Sequence, residues 1–241
     1  MELQPFEIFN GITEIIFVGI TMVLGFSIIA KYFASKNREL LLVGLTWIIM
    51  TEPWIAGIYS FLFTLFTGNM ITTEAYLIVG FTFLSVAMLL WIIVFTDLVY
   101  KEKQKIIVAI VLIYSVIFET FFFYYLFTQP SILAVLHRPL EIEYKLFIQL
   151  YLIFLMTFTL LTGIIFAQKT KQLGGAELKW RGNLLIVAFV LLIIGAIFDT
   201  IFTQDILLIL FKRLILIFAS FAFYCSFVIP KWLKNLILKD N

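Results

Sequence analysis

Seven long apolar segments dominate the hydrophobic pattern of this 241-residue chain. A helix needs about 20 apolar residues to cross the roughly 30 Å hydrocarbon core of a bilayer, and each segment is about that long or longer. The apolar residues run continuously, without the alternation that barrel strands need, so the segments predict helices. The pattern therefore predicts an all-α bundle of seven membrane-spanning helices over residues 8–34, 40–66, 75–100, 106–127, 144–167, 183–203 and 206–229.

Composition supports a membrane location. Apolar residues make up 63% of the chain and charged residues 13%, whereas soluble domains are near half apolar and a quarter charged. Such a chain cannot cover itself with polar surface in water, so we expect a single multi-pass domain of the cell membrane, residues 1–241, with the lipid bilayer as its partner. One cysteine, Cys225, and one histidine, His137, provide neither a disulfide framework nor a metal site.

Basic residues are concentrated in alternate connections between the segments, and the positive-inside rule makes these connections cytoplasmic. The N-terminus is then outside and the C-terminus in the cytoplasm. Residues 230–241 place their apolar side chains along one helical face, which predicts a short amphipathic helix on the inner leaflet. The basic residues on the cytoplasmic side, 13 of the 17, are Lys31, Lys36, Arg38, Lys101, Lys103, Lys105, Lys169, Lys171, Lys179, Arg181, Lys231, Lys234 and Lys239.

Six ionisable residues lie inside the apolar segments, at mid-depth or in the outer half. A charge at the centre of a membrane helix costs about 2.5–3.5 kcal/mol on insertion scales, so such residues mark functional sites by default. We therefore expect a ligand or proton site in the outer half of the bundle. Its candidate residues, together with the neighbouring Trp54, are Glu14, Glu52, Glu119, Asp199, Lys212 and Arg213.

Each candidate also has a structural interpretation. The acids can hold helices together through hydrogen bonds, and desolvation favours the protonated form of Glu52 or Glu119 where no cation is near. Lys212 and Arg213 either mark the outer end of a short seventh helix or pair with Asp199 or Glu14. Asp97, near the inner end of the third segment, is expected to meet water or Lys101.

The stretch "TEPW" places Glu52 and Pro53 in the middle of the second segment. Proline has no N–H and clashes with the carbonyl four residues earlier, here that of Ile49, so a kink is expected. With Trp54 alongside, the stretch predicts the floor of a pocket. A proton site and hydrogen bonding between helices are the alternatives.

An internal repeat is also suggested. "TMVLG" at residues 21–25 aligns with "TLLTG" at 159–163, and "LLLVG" at 40–44 aligns with "LLIVA" at 184–188. A repeat of this kind implies three helices, a linker helix and three more helices, which occurs in some small transporters.

The helix count and orientation resemble those of rhodopsin-like and receptor-like proteins. The only candidate for a Schiff-base lysine, Lys212, lies about 27 Å from Pro230 at 1.5 Å per residue, which is too close to the outer surface for retinal. With segments such as "WRGNLLIVAF", the chain is similar to the sensor regions of histidine kinases and to uncharacterised archaeal seven-helix proteins. This resemblance implies a sensor and carries over no catalytic residue.

The leading functional prediction is a receptor-like sensor that binds an unknown ligand or a proton and signals to a separate cytoplasmic protein. A small carrier of solute or protons that uses Glu52 and Glu119 is the first alternative, and a structural membrane subunit is the second. We expect no enzyme, because neither a histidine-rich metal set nor a Gly-x-Gly-Asp motif is present. No cofactor is identified, and no nucleic-acid partner is expected.

Overall fold

The computed structural model describes residues 2–201 and 205–230. The predicted amphipathic helix lies outside the described residues except for Pro230, as do the last two residues of the predicted sixth span. The described chain is predominantly helical, which confirms the all-α class. The α-helices are α1 Pro5–Ser35, α2 Arg38–Ile49, α3 Glu52–Thr67, α4 Thr73–Phe81, α5 Leu84–Val99, α6 Gln104–Thr128, α7 Leu146–Gln172, α8 Ala176–Ile201 and α9 Ile206–Phe227.

Six helical stretches of the described chain are long and apolar enough to cross a membrane. Counting α2 and α3 as one bent span raises this number to seven. The chain therefore has the make-up of a multi-pass membrane protein.

Helix α1 has clear start and stop signals. Gln4 and Glu7 form a capping box, and Pro5 occupies the first turn, where its missing N–H is not needed. At the other end Lys36 adopts a left-handed conformation with φ of 57°, which ends the helix.

The second predicted span is broken by a 43° bend between α2 and α3. This confirms the kink expected from Pro53, which cannot donate a hydrogen bond to Ile49. Just before the bend, both the backbone N–H and the hydroxyl of Thr51 donate to the carbonyl of Ile48.

The helix of the third predicted span is interrupted at Thr82 and Phe83, between α4 and α5, although neither residue is Pro or Gly and Thr73–Val99 still forms one candidate span. The backbone N–H of Phe83 bonds to the carboxylate of Glu52 on α3. A side chain that captures a helical N–H is a known cause of helix kinks. The break therefore depends on a tertiary contact that local sequence does not reveal.

A β-hairpin lies within residues 129–145, where the sequence analysis expected only a connection. Strand β1, Ala134–Arg138, pairs antiparallel with β2, Glu141–Tyr144, with a bulge near its turn. The predicted fifth helix therefore begins at Leu146 rather than at residue 144. Alternating apolar residues around the turn residue Pro139 are the sequence signal for the hairpin.

Helices α7 and α8 are longer than the predicted spans. They extend through most of the basic connection and stop only at Gly174 and Gly175, whose φ values are 88° and 80°. Positive φ favours glycine. The basic side chains of this connection are compatible with a helix that continues past the apolar segment.

The helices pack into a closed ring. Helix α1 contacts α2, α3 and α9; α5 contacts α2, α6 and α7; and the ring continues from α7 through α8 to α9. Two glycines of the possible internal repeat, at the ends of residues 21–25 and 159–163, allow close packing between helices. Gly25 packs on Ile48 and Gly44, and Gly163 packs on the ring of Phe189.

Candidate functional site

The two ends of the bundle differ in chemistry. We call the end with the β-hairpin and the start of α1 the hairpin end. The opposite end, which holds the connections α1–α2, α5–α6 and α7–α8, is the basic end. Ten of the 14 described basic residues of the chain lie at the basic end.

Four charged side chains form a buried network toward the hairpin end. Lys212 Nζ of α9 lies 2.6 Å from Asp199 Oδ1 of α8. The neighbouring Arg213 lies 3.1 Å from Glu14 Oε2 of α1 and 3.3 Å from Asp199. Asn10, one turn before Glu14, accepts a further bond of 3.0 Å from Arg213. Two acids and two bases thus compensate each other.

Helix α3 completes this network. The indole Nε1–H of Trp54 donates to Asp199 Oδ2 at 2.5 Å. The Trp54 ring also packs edge-on against Phe17, with centroids 5.3 Å apart. Gly57 lies directly over Glu14, because a Cβ at this glycine would stand 2.5 Å from Glu14 Oε1. The absence of a side chain at Gly57 makes room for the carboxylate.

The network resolves two alternatives. Lys212 and Arg213 are 1% and 2% exposed and face Asp199 and Glu14, so the pairing interpretation is confirmed. The interpretation in which they mark the end of a short helix is wrong, because α9 begins at Ile206 and encloses both residues. Buried charges persist when they are paired and hydrogen-bonded.

A cavity of about 580 Å³ adjoins the network. The charged and aromatic side chains Glu14, Trp54, Asp199, Lys212 and Arg213 line one part. Helices α7 and α8 contribute a largely apolar wall. Ligand sites in proteins have this size and this mixture of an apolar wall with a few placed polar groups. The apolar wall consists mainly of Leu152, Ile153, Leu155, Met156, Leu192, Ile193, Ala196 and Ile197.

The β-hairpin covers the cavity from the hairpin end, and residues 140–144 line it. Arg138 fastens the hairpin to α1 through two bonds to Glu7, at 2.6 and 2.7 Å. The backbone N–H of Leu136 donates to the hydroxyl of Thr73 on α4. The hairpin is therefore held to two helices besides the one that it precedes.

Glu52 bonds to the backbone before α5 and is not among the described residues that form the predicted pocket floor. Both of its oxygens accept the backbone N–H of Phe83, at 3.0 and 2.9 Å, just before α5 begins. The carboxylate thus lies near the N-termini of α3 and α5, where helix dipoles stabilise negative charge. Among the described residues that line the cavity are Pro53 and Trp54 but not Glu52. The pocket-floor prediction therefore applies to its neighbours, and Glu52 itself is a helix cap.

Glu119 on α6 is likewise not among the described residues that line the cavity. Neither of its oxygens has a hydrogen-bond partner in the described part of the chain. The hydroxyl of its polar neighbour Ser85 lies 3.1 Å from that of Tyr151. The structure thus separates Glu119 from the network of Glu14 and Asp199.

Several residues of the site were not predicted from the sequence. Asn10 could have been found, since it precedes Glu14 by one helical turn on the same face. Tyr76 and Tyr144 also line the cavity, but they come from α4 and the hairpin, and only the tertiary fold brings them there. Asp97 does pair with Lys101, as expected.

No family model, curated protein or solved structure matches this chain. The described residues contain no group of three or more His, Cys, Asp or Glu side chains placed to hold a metal ion. The class that the fold defines is a multi-pass helical membrane protein with a partly charged cavity.

Proposed function

We propose that the chain is a seven-helix, receptor-like sensor of the cell membrane that binds a small molecule in the cavity. The observation that carries this proposal is the cavity of about 580 Å³ beside a buried network of four charged side chains. Burying charges is costly, and such groups inside membrane segments mark functional sites by default. The resemblance to the sensor regions of histidine kinases fits the same proposal.

The proposed orientation places the hairpin end outside the cell. Basic residues collect in the connections at the other end, and the positive-inside rule assigns such connections to the cytoplasm. Helices α2 and α3 form one bent span in this arrangement, which gives seven spans. A ligand then enters the cavity from the outer half of the membrane.

A rigid element links the cavity to the cytoplasmic face. Lys212 and Arg213 line the cavity on α9, and the other end of α9 is held by Arg181 of α8. The Arg181 guanidinium donates to the carbonyls of Ser226 and Phe227, at 3.1 and 2.9 Å. A ligand that shifts α9 changes this contact, where a separate cytoplasmic partner can detect it.

A small carrier is the second candidate. One span is bent between α2 and α3, the helix of another is interrupted between α4 and α5, and the Glu52 carboxylate joins the two places. Transporters build midplane sites from discontinuous helices with polar backbone near the break. A carrier would move protons or solute through this region, with Glu52 and Glu119 as its acids.

Thermal unfolding of the purified protein tests the sensor proposal. The probes are panels of anionic, cationic and neutral compounds, both water-soluble and lipid-soluble. A compound at 100 times its Kd adds about 2.7 kcal/mol to the free energy of unfolding. Ile193→Phe enlarges a side chain that lines the cavity and should abolish this gain, whereas Leu161→Phe, on an exposed face of α7, should preserve it. Stabilisation that survives Ile193→Phe contradicts the proposed site.

Flux measurements separate the candidates. Vesicles that contain the protein and a pH-sensitive dye report proton movement, and tracer uptake by the same vesicles reports solute movement. Flux that Glu52→Gln abolishes supports the carrier. Ligand-dependent stabilisation without flux supports the sensor. If neither stabilisation nor flux occurs, the structural-subunit alternative prevails.

A further inference from the structure

Two residues of the cavity wall are also exposed on the outside of the bundle. Ile153 of α7 is 61% exposed and Ile197 of α8 is 43% exposed, yet both line the cavity. A side chain that meets both an interior cavity and the outer surface lies at an opening. Both belong to the halves of α7 and α8 that are nearer the hairpin.

The close contacts between α7 and α8 lie nearer the basic end. Gly163 of α7 packs on Phe189, and Gly182 of α8 packs on Lys171 and on the carbonyl of Ala167. These contacts hold the two helices together below the cavity.

Toward the hairpin end each helix has its aromatic contacts with another neighbour. Phe154 of α7 packs on Tyr114 of α6, with ring centroids 4.5 Å apart. Phe198 of α8 packs on Phe211 of α9, with centroids 6.1 Å apart. In this half both α7 and α8 contribute residues to the cavity wall.

The route from the hairpin end is covered. Residues 140–144 of the hairpin lie over the cavity, and the bonds from Arg138 to Glu7 hold this cover to α1. The side between α7 and α8 has no such cover in the described structure and is bordered by isoleucines. An apolar border facing a bilayer favours a lipid-soluble molecule over an aqueous solute.

We infer that the cavity opens sideways to the bilayer between α7 and α8 and binds a single-chain amphiphile of zero net charge. This inference rests on the proposed function and names the class of ligand and its path. The apolar chain lies along α7 and α8, and the head group reaches the network of Glu14, Asp199, Lys212 and Arg213.

The charges of the network determine the head group. The two carboxylates and two cations of the network sum to zero, so a head group with net charge would leave one charge uncompensated in a low-dielectric site. The other two acids that line the cavity, Glu141 and Glu143, belong to the hairpin that covers it and not to the network. Asp199 already accepts bonds from Lys212, Arg213 and Trp54. The buried Nε–H of Arg213 has no acceptor in the described part of the chain. An uncharged head group with an acceptor oxygen, such as a glycerol ester, supplies one.

The length of the cavity fits the apolar chain of an amphiphile. The cavity wall on α7 extends from Gln149 to Thr159, which is about 15 Å along the helix at 1.5 Å per residue. Between these polar residues the wall is formed by Leu152, Ile153, Leu155 and Met156, and Leu192 lines the cavity from α8.

The test uses the full chain in lipid nanodiscs and a monolauroylglycerol that carries a photoreactive diazirine. Labelling should fall on cavity-lining peptides of α7 and α8. Unlabelled monolauroylglycerol should displace the probe at least tenfold better than laurate or dodecylamine, which share its chain length but carry a charge. Equal or better displacement by either charged compound overturns the head-group assignment, and labelling confined to other surfaces overturns the site.

Substitutions at the opening test the path. Ile153→Trp and Ile197→Trp should slow labelling of the cavity at least fivefold, because the indole fills the space between the helices. Leu161→Trp, also on α7 and 56% exposed, serves as the matched control and should leave the rate unchanged. Equal rates in all three variants overturn the lateral path.

Failure of this inference differs from failure of the proposed function. A water-soluble or charged compound that stabilises the protein, with Ile193→Phe abolishing the effect, overturns the lipid ligand and preserves the sensor. Absence of stabilisation by every class, together with absence of cavity labelling, overturns both.

Discussion

Both carboxylate oxygens of Glu52 lie within 3.0 Å of the backbone nitrogen of Phe83, across the breaks in two neighbouring spans. Glu52 begins α3 and Phe83 precedes α5, so one side chain caps a helix that belongs to a different span. Gly80 allows this approach, since a Cβ there would lie 3.1 Å from the Cβ of Ala56. The capping bond couples the two breaks.

The first prediction concerns this bond. Glu52→Leu removes the acceptor of the part-buried hydrogen bond from the N–H of Phe83 and should lower the free energy of unfolding by about 1–3 kcal/mol. Glu52→Gln retains an acceptor oxygen and should cost less. Unfolding in mixed micelles gives both values, and amide exchange at Phe83 should accelerate most in Glu52→Leu. Glu102→Leu, at an exposed position of the basic end, is the control. If Glu52→Leu and Glu52→Gln lower the free energy of unfolding equally, the bond to Phe83 does not contribute to stability.

The positions of the long apolar helices were largely predictable from the sequence, but the breaks between them were only partly so. Pro53 predicts the bend before α3, because proline disrupts the hydrogen bonding of the helix that contains it. The residues at the break before α5, Thr82 and Phe83, do not predict it, because it depends on the distant Glu52. The same distinction applies to the site. Glu14, Asp199, Lys212 and Arg213 are conspicuous as charges in apolar segments, whereas Tyr144 reaches the cavity through a hairpin that helix periodicity does not reveal.

The second prediction concerns the buried pair of Asp199 and Lys212. Removing one partner of a buried pair leaves an uncompensated charge and costs about 3–5 kcal/mol. Asp199→Asn and Lys212→Met should each be strongly destabilising. The double variant should lose much less than the sum, because it removes both charges. A double-mutant cycle on unfolding free energies measures this coupling.

The pair of Asp97 and Lys101 is the matched control for that cycle, since the lysine is 70% exposed. Its coupling should be about 0.3–0.5 kcal/mol, as for other helix-surface pairs. Similar coupling for the buried and the exposed pair would contradict the importance assigned to burial.

The third prediction concerns Glu119, whose oxygens are buried without a partner in the described part of the chain. Replacing an unpaired polar group by an apolar one relieves its desolvation cost. Glu119→Leu should therefore leave the free energy of unfolding unchanged or raise it. Glu14→Leu should lower it, because it removes a carboxylate that pairs with Arg213. Thermal unfolding compares the two. A loss of more than about 2 kcal/mol for Glu119→Leu would mean that this carboxyl has a stabilising partner.

The fourth prediction concerns acid sensitivity of the hairpin. Hydrogen bonds from Lys145 and then His137 lower the pKa of Glu143, which lies at 2.5 Å from the lysine and 3.1 Å from the histidine. A depressed pKa means that the contacts stabilise the hairpin above the unfolded-state value of about 4.3. The stabilisation is lost as the pH falls through the lower folded-state pKa.

Amide exchange across residues 134–144 should therefore accelerate in acid more than exchange in the helices. Glu7 also titrates in acid and holds Arg138, so only the part of the response that Glu143→Gln removes is assigned to Glu143. Glu141→Gln, on the same strand, should leave the response intact. If Glu143→Gln and Glu141→Gln have the same effect, the contacts of Glu143 with Lys145 and His137 do not control the hairpin, and the cover over the cavity depends on Arg138 and Glu7 instead.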